Sequence, residues 1–177
     1  MDPPHQGEGG VPFLSAPMRV AWYHFEGREP ESIAIQTLID WAARKGLLED
    51  DGPPRFYGFN NPEPQFRNPV YGYEFWMVVG DDVEGDEPVQ IKDAPGGLYV
   101  VAKGLEKGWE WARRHFGFWA EENGYVYDDE RQWLEEHIPD RERLSQFPDL
   151  EGEERWVSID VYLPIRWRKS SRQEGAM

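Results

Sequence analysis

A chain of 177 residues with 34 acidic and 19 basic side chains has a formal net charge of -15, so its surface repels nucleic-acid phosphates and direct DNA or RNA binding is not expected. The absence of cysteine excludes disulfides, zinc-thiolate sites and a cysteine nucleophile. Apolar runs are strand-sized and Met1–Pro12 has neither a basic start nor an apolar core, so no membrane span or signal peptide is predicted and a cytoplasmic location is expected.

Residues 1–16 read as a flexible arm and 168–177 as a polar tail, around one domain over 17–167. Met18–Glu26 is a predicted strand closed by Gly27. A helix follows from Pro30, a first-turn proline, with Ile35, Leu38, Ile39 and Ala42 on one stripe until Gly46 stops it. Arg55–Asn60 is a short strand, and after a Pro- and Asn-rich loop comes the strand Tyr71–Val79. Val89–Lys92 and Leu98–Lys103 flank the break at Pro95-Gly96-Gly97. A second helix is predicted over 105–122, with Trp109, Ala112, Phe116 and Trp119 at helical spacing, and Asn123-Gly124 as its stop. Tyr125–Tyr127 reads as a strand, 132–138 as a strand or a charged helical turn with the strand preferred, and Val157–Arg166 as the last strand.

The strand Tyr71–Val79 is apolar throughout except for one central carboxylate. Alternation sets Gly72, Glu74, Trp76 and Val78 on one face and Tyr73, Phe75, Met77 and Val79 on the other, so the second, wholly apolar set belongs against the helices. Glu74 then looks out of the opposite face beside an indole. A buried, unpaired carboxylate costs several kcal/mol, so this group is either ion-paired with an arginine from a neighbouring strand or kept for a cationic ligand. The last strand repeats the pattern, with Ile159, Val161, Leu163 and Ile165 inward and Ser158, Asp160, Tyr162 and Pro164 on the open face. Matching Glu74 with Asp160 and Trp76 with Tyr162 divides the domain into halves of about 17–84 and 88–167. The expected fold is α+β: two β-α-β-β units about a pseudo-twofold axis, one antiparallel sheet, helices on one face and a concave groove on the other. Glu74 and Asp160 are expected together in that groove.

Residues spread through the chain carry a family resemblance: Met18-Arg19-Val20-Ala21-Trp22-Tyr23, Phe56 through Pro62, Tyr71 through Trp76, Pro95 through Tyr99, Trp119 through Tyr125, Trp133 through His137 and Asp160 through Ile165. In this order they resemble the gyrase-inhibitor-like (GyrI-like) small-molecule-binding domain, which also serves as the effector-binding half of AraC- and MerR-type regulators, and above all its stand-alone members. The resemblance implies a groove for flat, often cationic aromatic compounds with an acidic residue matching Glu74 at its floor. Some stand-alone members resemble hydrolases that open the strained cyclopropane of DNA-alkylating compounds. No helix-turn-helix is expected, so any role in transcription needs a protein partner.

No Ser-His-Asp triad, phosphate-binding loop or dinucleotide motif stands out. The histidines at 5, 24, 115 and 137 lack ligand spacing, so neither metal nor cofactor is expected. Read as a strand, 132–138 sets Trp133, Glu135 and His137 on one face, and these three join the groove candidates. Tyr71, Phe59 and Asn60 are placed at its rim. The ligand-binding set is thus Glu74, Trp76, Tyr162, Trp133, Asp160, Glu135, His137, Tyr71, Phe59 and Asn60. The function this supports is binding and sequestration of planar, cationic or electrophilic small molecules. A hydrolase with Glu74 as base and Tyr162 as hydroxyl donor is the second reading, and an acidic interaction protein for gyrase or a regulator the third.

Overall fold

A computed structural model describes residues 11–49, 52, 54–104 and 109–168. Nine strands and two α-helices form an α+β fold: β1 (Val11–Ser15), β2 (Met18–Gly27), α1 (Pro30–Arg44), β3 (Phe56–Asn60), β4 (Tyr71–Val78), β5 (Gln90–Ala94), β6 (Gly97–Ala102), α2 (Trp109–Glu122), β7 (Tyr125–Tyr127), β8 (Leu134–Pro139) and β9 (Trp156–Trp167). Eight strands lie in the order β1-β6-β9-β8-β3-β4-β2-β5, and β7 pairs with the end of β9. Every ladder is antiparallel.

Register assigns the two faces. One row crosses the sheet as Tyr23, Phe75, Gly58, Glu135, Val161 and Ala102, and it lies under the helices. The stripe Ala34, Leu38, Ile39, Trp41 and Ala42 of α1 packs with Tyr73, Phe75 and Met77, and none of these five helix residues keeps measurable exposure. Each such aliphatic side chain contributes roughly 1.5–3 kcal/mol through its removal from water. Trp119 of α2 stacks on Tyr125, which leans on Trp167, so α2 covers the face carrying Val161, Leu163 and Ile165. The alternation expected for β4 and β9 is therefore the one observed.

Three observations depart from the sequence expectations. Val11–Ser15, assigned to the flexible arm, forms an edge strand whose residues pair with Gly97–Val101; the backbone bonds offered by β6 outweigh the weak apolar pattern of a five-residue segment. Residues 1–10 and 169–177, and the helical start expected at 105–108, lie outside the described residues. The segment preferred as a strand over 132–138 begins at Leu134. Between β8 and β9 the chain makes two 3-10 helices, Arg141–Asp149 and Gly152–Arg155, which the sequence pattern did not suggest. The first of them drives Phe147 fully into the core beside Phe56 and Trp156. No helix among the described residues is long and apolar enough to cross a membrane.

Candidate functional site

The face that carries no helix among the described residues holds a second row, Gln90, Trp22, Trp76, Tyr57, Glu136 and Asp160, each opposite the next across the sheet. Beside it run His24, Glu74 and Phe59, again paired directly across strands. The rings interlock edge to face: Phe59 with Trp76 at 5.1 Å, Tyr57 with Tyr162 at 5.8 Å, Tyr99 with Tyr162 at 5.9 Å and Phe13 with Tyr162 at 6.0 Å. Such pairs add about 0.5–1.5 kcal/mol each beyond the area they bury. They hold the floor as a rigid aromatic surface.

Two buried carboxylates interrupt this floor, and each is compensated. Glu74, 5% exposed, accepts from the Trp76 indole Nε1 at 2.5 Å and from Asn61 Nδ2 at 3.3 Å, and forms an ion pair with Lys92. The Lys92 ammonium, reaching over from β5, lies 4.4 Å from the ring centre of Trp22 and 4.7 Å from that of Trp76. Of the two alternatives raised by the sequence, the ion pair is the one present, but its cation is Lys92 of β5 and not the arginine expected. Glu136, 8% exposed, accepts from Arg55 Nε at 2.9 Å and from the Tyr162 hydroxyl. Arg55 also donates to the Tyr57 hydroxyl and stacks over that ring at 5.3 Å. Burial first, and the negative Glu136 beside them second, push both the Tyr57 and the Tyr162 phenols up, so both remain protonated donors at neutral pH.

Glu135 and His137, expected in the groove, point the other way. They lie beneath α1, where the Tyr73 hydroxyl donates to Glu135 Oε2 at 3.2 Å and meets His137 Nε2 at 3.1 Å. Burial pushes the Glu135 carboxyl up to about 7, with Glu31 and Glu63 adding repulsion and the Tyr73 bond opposing it. Burial alone lowers His137 to about 4. His137 Nδ1 finds no hydrogen-bond partner among the described residues, which suits a neutral ring that donates from Nε2 and leaves Nδ1 a bare acceptor. Gly58 makes the trio possible, because a Cβ there would sit 1.9 Å from the Tyr73 hydroxyl oxygen. Polar residues in a strand do not reveal whether they meet water or one another. That ambiguity produced the error.

Other expectations also shift. Asp160 does share the face with Glu74, but β8 and β3 stand between their strands, a gap of about 14 Å at the usual strand spacing. Instead Asp160 lies opposite Glu136 and accepts from the Gly104 amide at 2.8 Å. Tyr71 faces α1 and donates to Glu31 at 2.7 Å, so it does not line the groove. Asn60, opposite Tyr73, donates to Glu63, whose other oxygen accepts from the Trp133 indole at 2.8 Å. Trp76, Tyr162 and Glu74 stand on the face where the alternation put them, and Phe59, expected at the rim, lies directly opposite Glu74. Trp22, Tyr57, Lys92, Arg55 and Glu136 were missed. Trp22 and Tyr57 could have been found by extending the alternation to β2 and β3. A cavity of about 300 Å³ opens beside Arg55, lined by Leu47, Pro54, Met77 and Val83 among others, at the end of β4 and away from Glu74. No three His, Asp or Glu side chains among the described residues converge as metal ligands.

An antiparallel sheet backed by helices, with rings and buried acids on its free face, is the architecture of an effector-binding domain that takes up small molecules. Its sequence agrees. Residues 16–165 match the Cass2 family model, described as integron-associated effector binding protein, and the chain belongs to that family. The C-terminal domain of EcmrR superposes with a TM-score of 0.59 at 14% identity, over 90% of this chain and 98% of that one. An uncharacterized conserved protein from Listeria innocua gives 0.61 at 14% identity, covering 90% and 93%. A hydrolase encoded by lin2189 from the same organism gives 0.58 at 11% identity, covering 90% and 92%. At these identities the likeness is one of fold. Among functionally curated proteins, none matches the sequence.

Proposed function

We propose that this chain binds planar aromatic small molecules of cationic or electrophilic character on its aromatic face and sequesters them. The observation that carries the reading is the row Trp22, Trp76 and Tyr57 with the acids Glu74 and Glu136 alongside. Trp22, the partly exposed ring of the row, offers stacking to a flat guest, the buried Trp76 and Tyr57 back it, and the acids complement positive charge at the guest's edge. The strand order supports a duplicated origin for the face: β1, β2, β3 and β4 hold places equivalent to β5, β6, β8 and β9 when the order is read from opposite ends. The test is titration of a planar cationic rhodamine dye against wild type, Trp22→Ala and Trp76→Ala, followed by dye anisotropy. Saturable binding weakened about tenfold or more by each substitution is the expected result, on the scale of one lost stacking contact of 1–3 kcal/mol. Equal binding by all three proteins refutes the site.

A second reading, hydrolysis of a strained electrophile, draws on the Glu136–Tyr162 contact and on the fold shared with a protein described as a hydrolase. Glu136 would take a proton from water as the oxygen attacks a cyclopropane carbon. The ring bond breaks toward a conjugated carbonyl, and the Tyr162 hydroxyl donates to the oxygen that gains charge. Both acids are ion-paired, Glu74 with Lys92 and Glu136 with Arg55, and the choice of Glu136 rests on the Tyr162 hydroxyl beside it. Turnover of a cyclopropane-bearing dienone by wild type and its loss in Glu136→Gln and Tyr162→Phe is expected; turnover that survives both removes this mechanism.

A further inference from the structure

We infer that Lys92 is a built-in occupant of the cation-binding place on the aromatic face, and that a guest cation must displace it. This rests on the proposed binding face and deepens it by naming which guests can win. The place has every part that a cation site requires: two indoles, a buried carboxylate and a side-chain amide. Trp22 and Trp76 are cross-strand neighbours, and their ring centres lie 4.4 and 4.7 Å from the Lys92 Nζ. Ring faces at that distance attract an ammonium through their quadrupoles. Glu74 completes the charge pairing, and its carboxylate is fixed by the Trp76 indole N–H and the Asn61 amide. Asn61 is in turn held by His24 Nε2, 2.6 Å from its carbonyl oxygen.

The occupant differs from its site in one respect. Glu74 sits in the centre of the sheet with its side chain 6% exposed, while the Lys92 side chain is 33% exposed and comes from β5, the edge of the strand order. The carboxylate and the indoles are thus built-in walls, and the ammonium is the part that solvent can reach. A four-carbon flexible stem lets it swing out without moving the backbone. Because the lysine is tethered, its effective concentration is high, in the millimolar range or above for a short link. A bare ammonium in solution therefore cannot compete. A flat cation can, because it stacks on the partly exposed Trp22 and, once the lysine has swung out, on the part of Trp76 that the ammonium had covered, which an alkyl amine does not do. Lys92 thereby acts as a specificity-determining residue: it rejects simple amines and admits only cations with an aromatic plane attached.

The test uses the full chain and two probes, tetramethylammonium and a planar cationic rhodamine, against wild type, Lys92→Ala and Lys92→Ala/Glu74→Gln, read by the indole N–H resonances of Trp22 and Trp76. Wild type is expected to ignore tetramethylammonium at millimolar concentration. Lys92→Ala should bind it saturably, at least tenfold more tightly, and the double variant should lose it again. Rhodamine affinity should rise in Lys92→Ala. As a check that needs no substitution, the Lys92 ε-methylene protons of wild type should show upfield ring-current shifts that relax when rhodamine binds. Tetramethylammonium binding equal in wild type and Lys92→Ala, or unshifted ε-methylene protons, overturns the inference. Absent rhodamine binding together with tetramethylammonium capture by Lys92→Ala retains the lysine's role and removes the planar-ligand reading, so the two failures are distinct.

Discussion

Replacing Glu135 by Gln tests the buried trio beneath α1 through the pH dependence of stability. In the folded chain the Glu135 carboxyl is raised to about 7 and the His137 ring lowered to about 4, both mainly by burial. The signs oppose. Between about pH 4.5 and 7 the folded chain keeps a proton on Glu135 that the unfolded chain has shed, so this residue makes stability fall as pH rises through that window. Between about pH 6.5 and 4 the unfolded chain protonates His137 while the folded chain does not, so this residue makes stability fall as pH drops. Each displacement is about 2.5 pH units, worth roughly 3 kcal/mol at 1.36 kcal/mol per unit, and from about pH 4.5 to 6.5 the two contributions nearly cancel. Glu135→Gln removes one of them, so the variant's stability relative to wild type should climb by roughly 2–3 kcal/mol from pH 4.5 to 7. His137→Phe should do the reverse, losing up to about 3 kcal/mol relative to wild type over the same rise in pH. The groups facing Glu135 and His137 from α1, β4 and the loop after β3 are Glu31, Tyr73 and Glu63, and all three remain in both variants. Urea unfolding followed by tryptophan fluorescence at half-unit pH steps supplies the comparison. Curves for Glu135→Gln and wild type that run parallel across this range would refute the reasoning.

Gly58→Ala should destabilise the chain by about 2–4 kcal/mol in urea titrations, because the new methyl collides with the Tyr73 hydroxyl and breaks its bonds to Glu135 and His137. Phe56→Ala, which empties a fully buried ring site between Phe75, Phe147 and Trp156, should cost about 3–5 kcal/mol, while Val157→Ser, 70% exposed, should stay within about 0.5 kcal/mol. Arg55→Met takes the cation away from the buried Glu136 and should lower the melting temperature by several degrees in a thermal scan at neutral pH, because a buried carboxylate is left without its counter-charge. Rhodamine binding should weaken as salt is raised from 0.05 to 0.5 M, since ions screen the charge of the -15 chain; a salt-independent affinity would point to stacking alone.

The sequence was most legible where one period spoke for a whole element. In β4 the set Tyr73, Phe75 and Met77 could only be core, and in α1 the stripe through Leu38 could only face a sheet. Legibility failed where assignment depended on partners distant in the chain. Lys92 reaches Glu74 because β5 pairs with β2 rather than with its neighbour in sequence, β6, and no local pattern encodes that choice. β8 was given its wrong face because Glu135 and His137 look like solvent-facing residues, whereas tertiary packing makes them bond with Tyr73. Glu136, which alternation sets on the face opposite Glu135, is the one that shares a face with Tyr57 and Tyr162.

The edge strands also link the molecule end to end. β1 is followed at once by β2 in the chain but lies against β6, and β5 is followed by β6 but lies against β2. Each outer margin of the sheet is thereby hemmed by a segment whose sequential neighbour belongs to the opposite margin. A nick in the turn near residue 85 would leave one fragment with the acid Glu74 and the other with its counter-ion Lys92, so neither piece could bury its share of the site in a neutral state. Reassociation of two such fragments should regain the site, in the manner of complementation, only when both are present together.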